Sequence, residues 1–329
     1  MFVLKGRFGA LFVGLPLLVV AAFLVALASG SADVSLAETL GALSGESTPE
    51  VRALVLDLRL PRTLTAFAVG GLLAVAGVLM QVLLRNPLAD PYILGSSGGA
   101  AVAALLAMML GMGSLVVDLS AFGGAMAATL LVFSIAHGTG SWTPARLLLT
   151  GVVLAAGFSA ATTLLLALSP DQNLRGMLFW LMGDLSYAFE PTRCLWLLLV
   201  LVVIGTLGAR HLNVLSRGEL QAAIVGAPVR GLRYSIFAAA ALATALSVTT
   251  VGVIGFIGLV VPHLVRLVAG SDHRAVLPAS ALAGGILLVL ADTIARTLMA
   301  PTQLPVGALT AAIGVPLFLI LMSRVRQDR

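Results

Sequence analysis

Lysine occurs once in this chain, at Lys5, and cysteine once, at Cys194. Each scarcity closes a class of function. A nucleotide-hydrolysing P-loop needs a lysine against the phosphates and a following hydroxyl for magnesium. With Lys5 the only lysine, the stretch Gly95-Ser96-Ser97-Gly98-Gly99 is no phosphate cradle. A lone thiol permits neither an internal disulfide nor a thiolate metal cluster. Charge is scarce too: 10% of the 329 residues are Asp, Glu, Lys or Arg, against roughly 25% in a soluble domain. The four histidines, His137, His211, His263 and His273, are scattered and have no Ser or Glu companion that would make a catalytic set. The basic residues are spread thinly, so no nucleic-acid footprint forms.

What fills the chain is apolar: 60% hydrophobic residues and a mean hydropathy of +1.09. A bilayer core of about 30 Å needs about 20 apolar helical residues. Such runs occur near residues 9–28, 62–84, 92–111, 115–136, 146–168, 192–209, 234–250, 253–270, 278–299 and 305–323. The expectation is an all-α integral membrane protein of about ten transmembrane helices, in one domain over 1–329. The eighth run is expected to be a broken helix, because Gly252, Gly255, Gly258 and Pro262 interrupt it. The first run, followed by Ser29-Gly30-Ser31-Ala32, also has the outline of a cleaved signal peptide. A retained helix is expected, because it gives an even span count.

Orientation follows from the basic residues. With the N-terminus inside, Arg52, Arg59, Arg62, Arg175, Arg193 and Arg296 lie outside and the rest of the 19 lysines and arginines fall inside. Both termini are therefore expected on the cytoplasmic side of an inner membrane. Outside, 29–61 and 169–191 form long connections with helical pattern. Met177, Met182 and Tyr187 in the second read as packing and interface anchors in preference to haem-iron ligands. Inside, 210–233 is the longest connection, with a short helix that Gly226 and Pro228 end.

An ion-coupled carrier buries an ionisable group near mid-membrane. Here the nearest candidates are Asp292 and Arg296, four apart on one helix face toward the outer end, where a structural ion pair is an equal reading. The driving energy is thus expected from another polypeptide, which the 210–233 connection would receive.

Four strings, Leu58-Arg59-Leu60-Pro61-Arg62-Thr63, Asn86-Pro87-Leu88-Ala89-Asp90-Pro91, Gly255-Phe256-Ile257-Gly258-Leu259-Val260-Val261-Pro262-His263 and Leu304-Pro305-Val306-Gly307, resemble the FecCD-type permeases in the same order over nearly the whole chain. These are membrane subunits of ABC importers for iron-siderophore complexes, haem and cobalamin. The resemblance implies the type II ABC importer permease architecture. It further implies a homodimer with one path along its two-fold axis, two cytoplasmic ATPase subunits holding the ATP and magnesium, and a periplasmic binding protein. No cofactor is expected in this chain.

The resemblance also implies roles for particular residues. Arg59, Arg62 and Arg296 match positions that dock the binding protein. Glu219, Ala222, Ala223 and Gly226 fall in the ATPase-coupling helix, a looser match. Asn86 and Leu88, with the less closely matched Thr143, Pro144 and Ala145, belong to the cytoplasmic gate. Helices five and ten line the path, which puts Ser159, Thr162, Thr163, Gly307 and Thr310 along it. The small residues of those two helices permit close packing and sliding. An iron complex, haem or ferric siderophore, is the expected cargo, with cobalamin the alternative. An ion-coupled carrier and an intramembrane enzyme are the competing classes.

Overall fold

A computed structural model describes residues 2–30, 32, 34–137, 143–186, 188 and 190–325, with side chains described from 13 to 320. Among these the regular structure is helical throughout, without strands. In lipid each backbone N–H and C=O must be satisfied within its own segment, which helices accomplish.

Helix α1 (Phe2–Ala28) leads to α2 (Leu36–Ser44), whose start is closed by a reciprocal capping box between Ser35 and Glu38. Thr48 caps α3 (Pro49–Ala53), which continues through a π-helical stretch (Leu54–Arg59) into α4 (Leu60–Leu84). The helix over Pro49–Leu84 is unbroken for 36 residues and 94% of its apolar window is buried. The expected start at 62 was therefore too late. Asp57 and Arg59 fell in the expected 29–61 connection, and the same helix that carries Arg62 carries them.

After a short 3₁₀ turn (Pro91–Leu94) come α5 (Ser96–Met109), α6 (Ser114–His137), α7 (Pro144–Leu168), α8 (Asp171–Met182), α9 (Thr192–Leu207), α10 (Ala209–Ser216), α11 (Glu219–Ile224), α12 (Val229–Val251), α13 (Ile257–Ala269), α14 (His273–Thr297) and α15 (Val306–Val325). A helix occupies each of the ten apolar runs. Five helical stretches are long and apolar enough to cross a membrane. α9 and α10 together make a sixth, bent by 68°. Val13–Ala28, Ser96–Met109, Ile257–Ala269 and Val306–Ile320 are shorter apolar helices.

Helix α4 is the centre of the packing, with α14, α12, α13 and α9 around it. Glycine makes the closest crossings. A Cβ on Gly77 would overlap the Gly258 carbonyl of α13, and one on Gly70 would overlap the Gly284 carbonyl of α14. Residues 252–255 have no helical structure, and backbone φ is positive at Gly252 and Phe256. The break thus precedes α13, while Gly258 and Pro262 lie inside that helix. Only Leu147 and Gly151 of α7 are buried; one side of this helix packs on α5, α6 and the 3₁₀ turn, and the other is exposed.

Candidate functional site

The chain presents two ends of interest, joined by α4. At one end, α1 stops and α14 finishes. The Arg59 guanidinium is 5% exposed and donates to the carbonyls of Leu27 (2.7 Å), Ala28 (2.9 Å) and Ala32 (2.7 Å). It closes the C-terminus of α1, whose last carbonyls have no helical donors. Arg62 donates from Nε and Nη2 to Asp292, at 2.7 Å for the shortest, and from Nη1 to Gln303 at 3.0 Å. Arg296 lies one turn from Asp292, with Nε 3.6 Å from the carboxylate, and also donates to the Ala26 carbonyl.

The three arginines expected to meet a partner are therefore drawn together but turned inward. Arg62, with a side-chain exposure of 12%, is the more accessible member of its pair with Asp292. The ion pair between Asp292 and Arg296 was legible from their spacing. The stronger bond to Arg62 was not.

Beside this end lies a cavity of about 1220 Å³, whose walls include Asp118, Arg175, Phe179, Trp180, Thr249 and Gln303. It was not legible from sequence, because its walls come from segments far apart in the chain. Met177 is fully buried and Met182 lies at the surface, in keeping with packing roles; Tyr187 lies outside the described residues.

At the other end, α11 stands between α10 and α12. Its fully buried Ala222 faces inward, while Leu220 and Ile224 are each 76% exposed and Val225 67%. The inward side also carries Glu219, which accepts from Arg233 at 2.8 Å and lies 3.8 Å from Arg85. Ala223 and Gly226 are exposed, and Gly226 (φ 78°) turns the chain off the helix. The four residues expected to couple are thus split between two faces. The apolar knob is made by Leu220, Ile224 and Val225, which sequence reasoning had not singled out, although their i, i+4 spacing was visible.

The Asn86 side-chain oxygen accepts the Leu88 N–H at 2.9 Å, which leaves Leu88 projecting at the surface. Thr143 caps α7 by accepting from the Arg146 N–H at 3.3 Å, with Pro144 following at the first helical position and Ala145 exposed. No hydrogen bond or ion pair joins the two turns among the described residues. The segment after Leu88 then runs inward. Pro91 meets Gly258, and the Ile93 carbonyl meets Gly151. The Tyr92 hydroxyl bonds both the carbonyl and the N–H of Ile254, each at 3.1 Å, within the break before α13.

Of the residues expected along the path, Ser159 and Thr163 are exposed on α7 and Thr162 is half-buried. Gly307 and Thr310 lie on α15, both buried. Gly307 packs against the Met182 and Val253 carbonyls, and the Thr310 hydroxyl, 5% exposed, returns to the Gly307 carbonyl at 3.0 Å. Gly307 thereby seats the start of α15 against the end of α8. Among the described residues no group of His, Cys, Asp and Glu is placed to hold a metal.

A bundle of apolar helices with buried charge at one end and an exposed apolar knob at the other has the build of a multi-pass transport permease. Residues 17–324 match the FecCD transport family, and the chain belongs to that family. It is 42% identical over 316 residues to the hemin transport system permease protein HmuU of Yersinia pestis, covering 93% of this chain and 94% of that one. It is 38% identical over 319 residues to the vitamin B12 import system permease protein BtuC of Shigella boydii, covering 95% and 94%. Among solved structures, an inward-facing ABC transporter assigned to the metal-chelate type superposes with a TM-score of 0.83 at 31% identity, covering 96% of this chain and 99% of that one. PsaBC from Streptococcus pneumoniae, with a TM-score of 0.60 and 17% identity over 87% of this chain and 95% of that one, shares the fold.

Proposed function

We propose that this chain is the permease subunit of an ATP-driven importer that carries haem or another iron chelate across the inner membrane. The observation that carries this reading is the exposed knob of Leu220, Ile224 and Val225 on a chain whose one lysine leaves it without a P-loop. An exposed apolar patch of this kind marks a protein contact, and here the partner is an ATPase that holds ATP and magnesium. The knob end is accordingly cytoplasmic, as are both termini.

Two copies pack through the small-residue face of α7, where Ala155, Ala156, Gly157, Ser159 and Ala160 are exposed. Ser159, Thr162 and Thr163 then line a weakly binding path between the copies. ATP binding draws the two ATPases together, α11 moves with them, and the turns at Asn86 and Leu88 and at Thr143 to Ala145 open or close the inner mouth. A periplasmic binding protein docks at the arginine end, where Arg62 is the accessible cation and Arg59 and Arg296 hold the surface in shape.

Haem is supported by the HmuU relative at 42% identity. Cobalamin is the second reading, supported by the BtuC relatives at 38% and 40%. Proteoliposomes holding the chain with its ATPase and binding protein, offered haem, a ferric siderophore and cobalamin in turn, should show ATP-dependent uptake of an iron complex. Uptake by the chain alone down an ion gradient would overturn the proposal.

A further inference from the structure

We infer that Glu219 is a positioning residue that ties the docking knob to α4 and so delivers the knob's movement to the inner turn. The inference rests on the ATPase-docking reading of α11 and assigns Glu219 the opposite side of that helix. Glu219 and Ala222 are one turn apart on α11 and share its inward face, whereas Leu220 and Ile224 share the outward one. Ala222 is a small, fully buried residue that seats the helix. Glu219 supplies the directional bond.

One carboxylate oxygen of Glu219 meets the Arg233 guanidinium at 2.8 Å and the other faces Arg85 at 3.8 Å. The two arginines belong to different elements. Arg233 lies in the second turn of α12 and is nearly buried, so this arm fixes the carboxylate. Arg85 is the left-handed residue (φ 50°) that ends α4, and its N–H closes onto Gln81 and Val82. Asn86, Pro87 and Leu88 follow, in a turn held by the Asn86 side chain. A displacement of α11 is thereby passed through Glu219 to the residue from which the inner turn departs. A neutral glutamine at this position keeps the size and loses the attraction to both guanidinium groups.

The test is the amount of substrate moved per ATP hydrolysed, in the full complex of this chain with its ATPase and binding protein. Glu219→Gln is expected to co-purify with the ATPase but to lower that ratio about fivefold, on the scale of one partly buried ion pair. Arg85→Gln, which leaves the contact of Glu219 with Arg233 in place and puts no strain on the core, should lower it similarly. Glu219→Asp, which keeps the charge, should recover most of the loss. An unchanged ratio in both glutamine variants would overturn the inference. So would loss of co-purification in Glu219→Gln matching that of Leu220→Asp, because the carboxylate would then belong to the ATPase contact. Failure of the docking reading looks different: the unaltered chain itself would not co-purify with the ATPase.

Discussion

Asp292 holds Arg62 through both carboxylate oxygens across 230 positions of sequence, and it does so while Arg296 stands one helical turn away. One anion on α14 thus neutralises two cations at a nearly dry helix end. Removing one member of a buried pair leaves uncompensated charge, at a cost of about 3–5 kcal/mol. Asp292→Ala is expected to lose stability on that scale in detergent, measured by thermal unfolding. Adding Arg296→Met should recover part of the loss by removing one stranded cation.

Arg59 donates through Nη1 to the last two carbonyls of α1, at Leu27 and Ala28, and through Nη2 of the same planar group to the Ala32 carbonyl just beyond it. Lysine carries the charge but lacks the fork. Arg59→Lys should cost about 1–2 kcal/mol and speed amide exchange at the end of α1. If Arg59 acted mainly on the binding protein, the variant would weaken that affinity and leave exchange unchanged.

Gly77 and Gly258 let α4 and α13 touch backbone to backbone. Gly77→Val would force the two helices apart. Overpacking of this kind costs typically about 1–3 kcal/mol, and the expected result is a lower yield of monodisperse protein by size-exclusion chromatography. Gly157→Ala, where nothing lies within reach inside the subunit, should leave folding of the single chain intact.

Asp272 caps α14 and accepts from the Asn213 amide of α10 at 2.8 Å. Burial by itself would raise its pKa, but the Asn213 bond, the Arg274 N–H and the adjacent positive charge of Arg274 outweigh this and hold it below the ordinary value. A carboxyl depressed on folding stabilises above its unfolded pKa, about 3.9, and that contribution disappears as pH falls through the folded value. Protection of α10 amides should therefore be steady above about pH 4 and decline below it. Asp272→Asn should flatten that decline.

The apolar helices were legible because a bilayer imposes one requirement, length of apolar helix, and a helix occupies each run, although among the described residues four of them are shorter than a full crossing. The start of the helix at Pro49 was not, because Arg59 resembles a residue of a connection until its partners at the end of α1 are known. The break near Gly252 could be read from glycine. Its upper limit could not, since Gly258 serves the crossing with α4 and Pro262 sits inside α13. At α11, Gly226 and Pro228 marked the end correctly, but six residues carry too little periodicity to say which side faces water. Glu219 and Ala222 were for that reason grouped with Ala223 and Gly226, without distinction of face. The stretch from Asn86 to Gly99 held the opposite lesson. Its glycines looked like a ligand loop, and what they permit is close approach, Gly98 to Phe158 and Gly99 to Gly124.

The unbroken helix from Pro49 to Leu84 has a mechanical consequence. At about 1.5 Å per residue its 36 residues extend about 54 Å, longer than the roughly 30 Å hydrocarbon core. A tilt of about 10° around the midpoint of a straight rod of that length would carry each end about 5 Å in opposite directions. Small angular work at one face of the membrane is thus returned as side-chain-sized travel at the other.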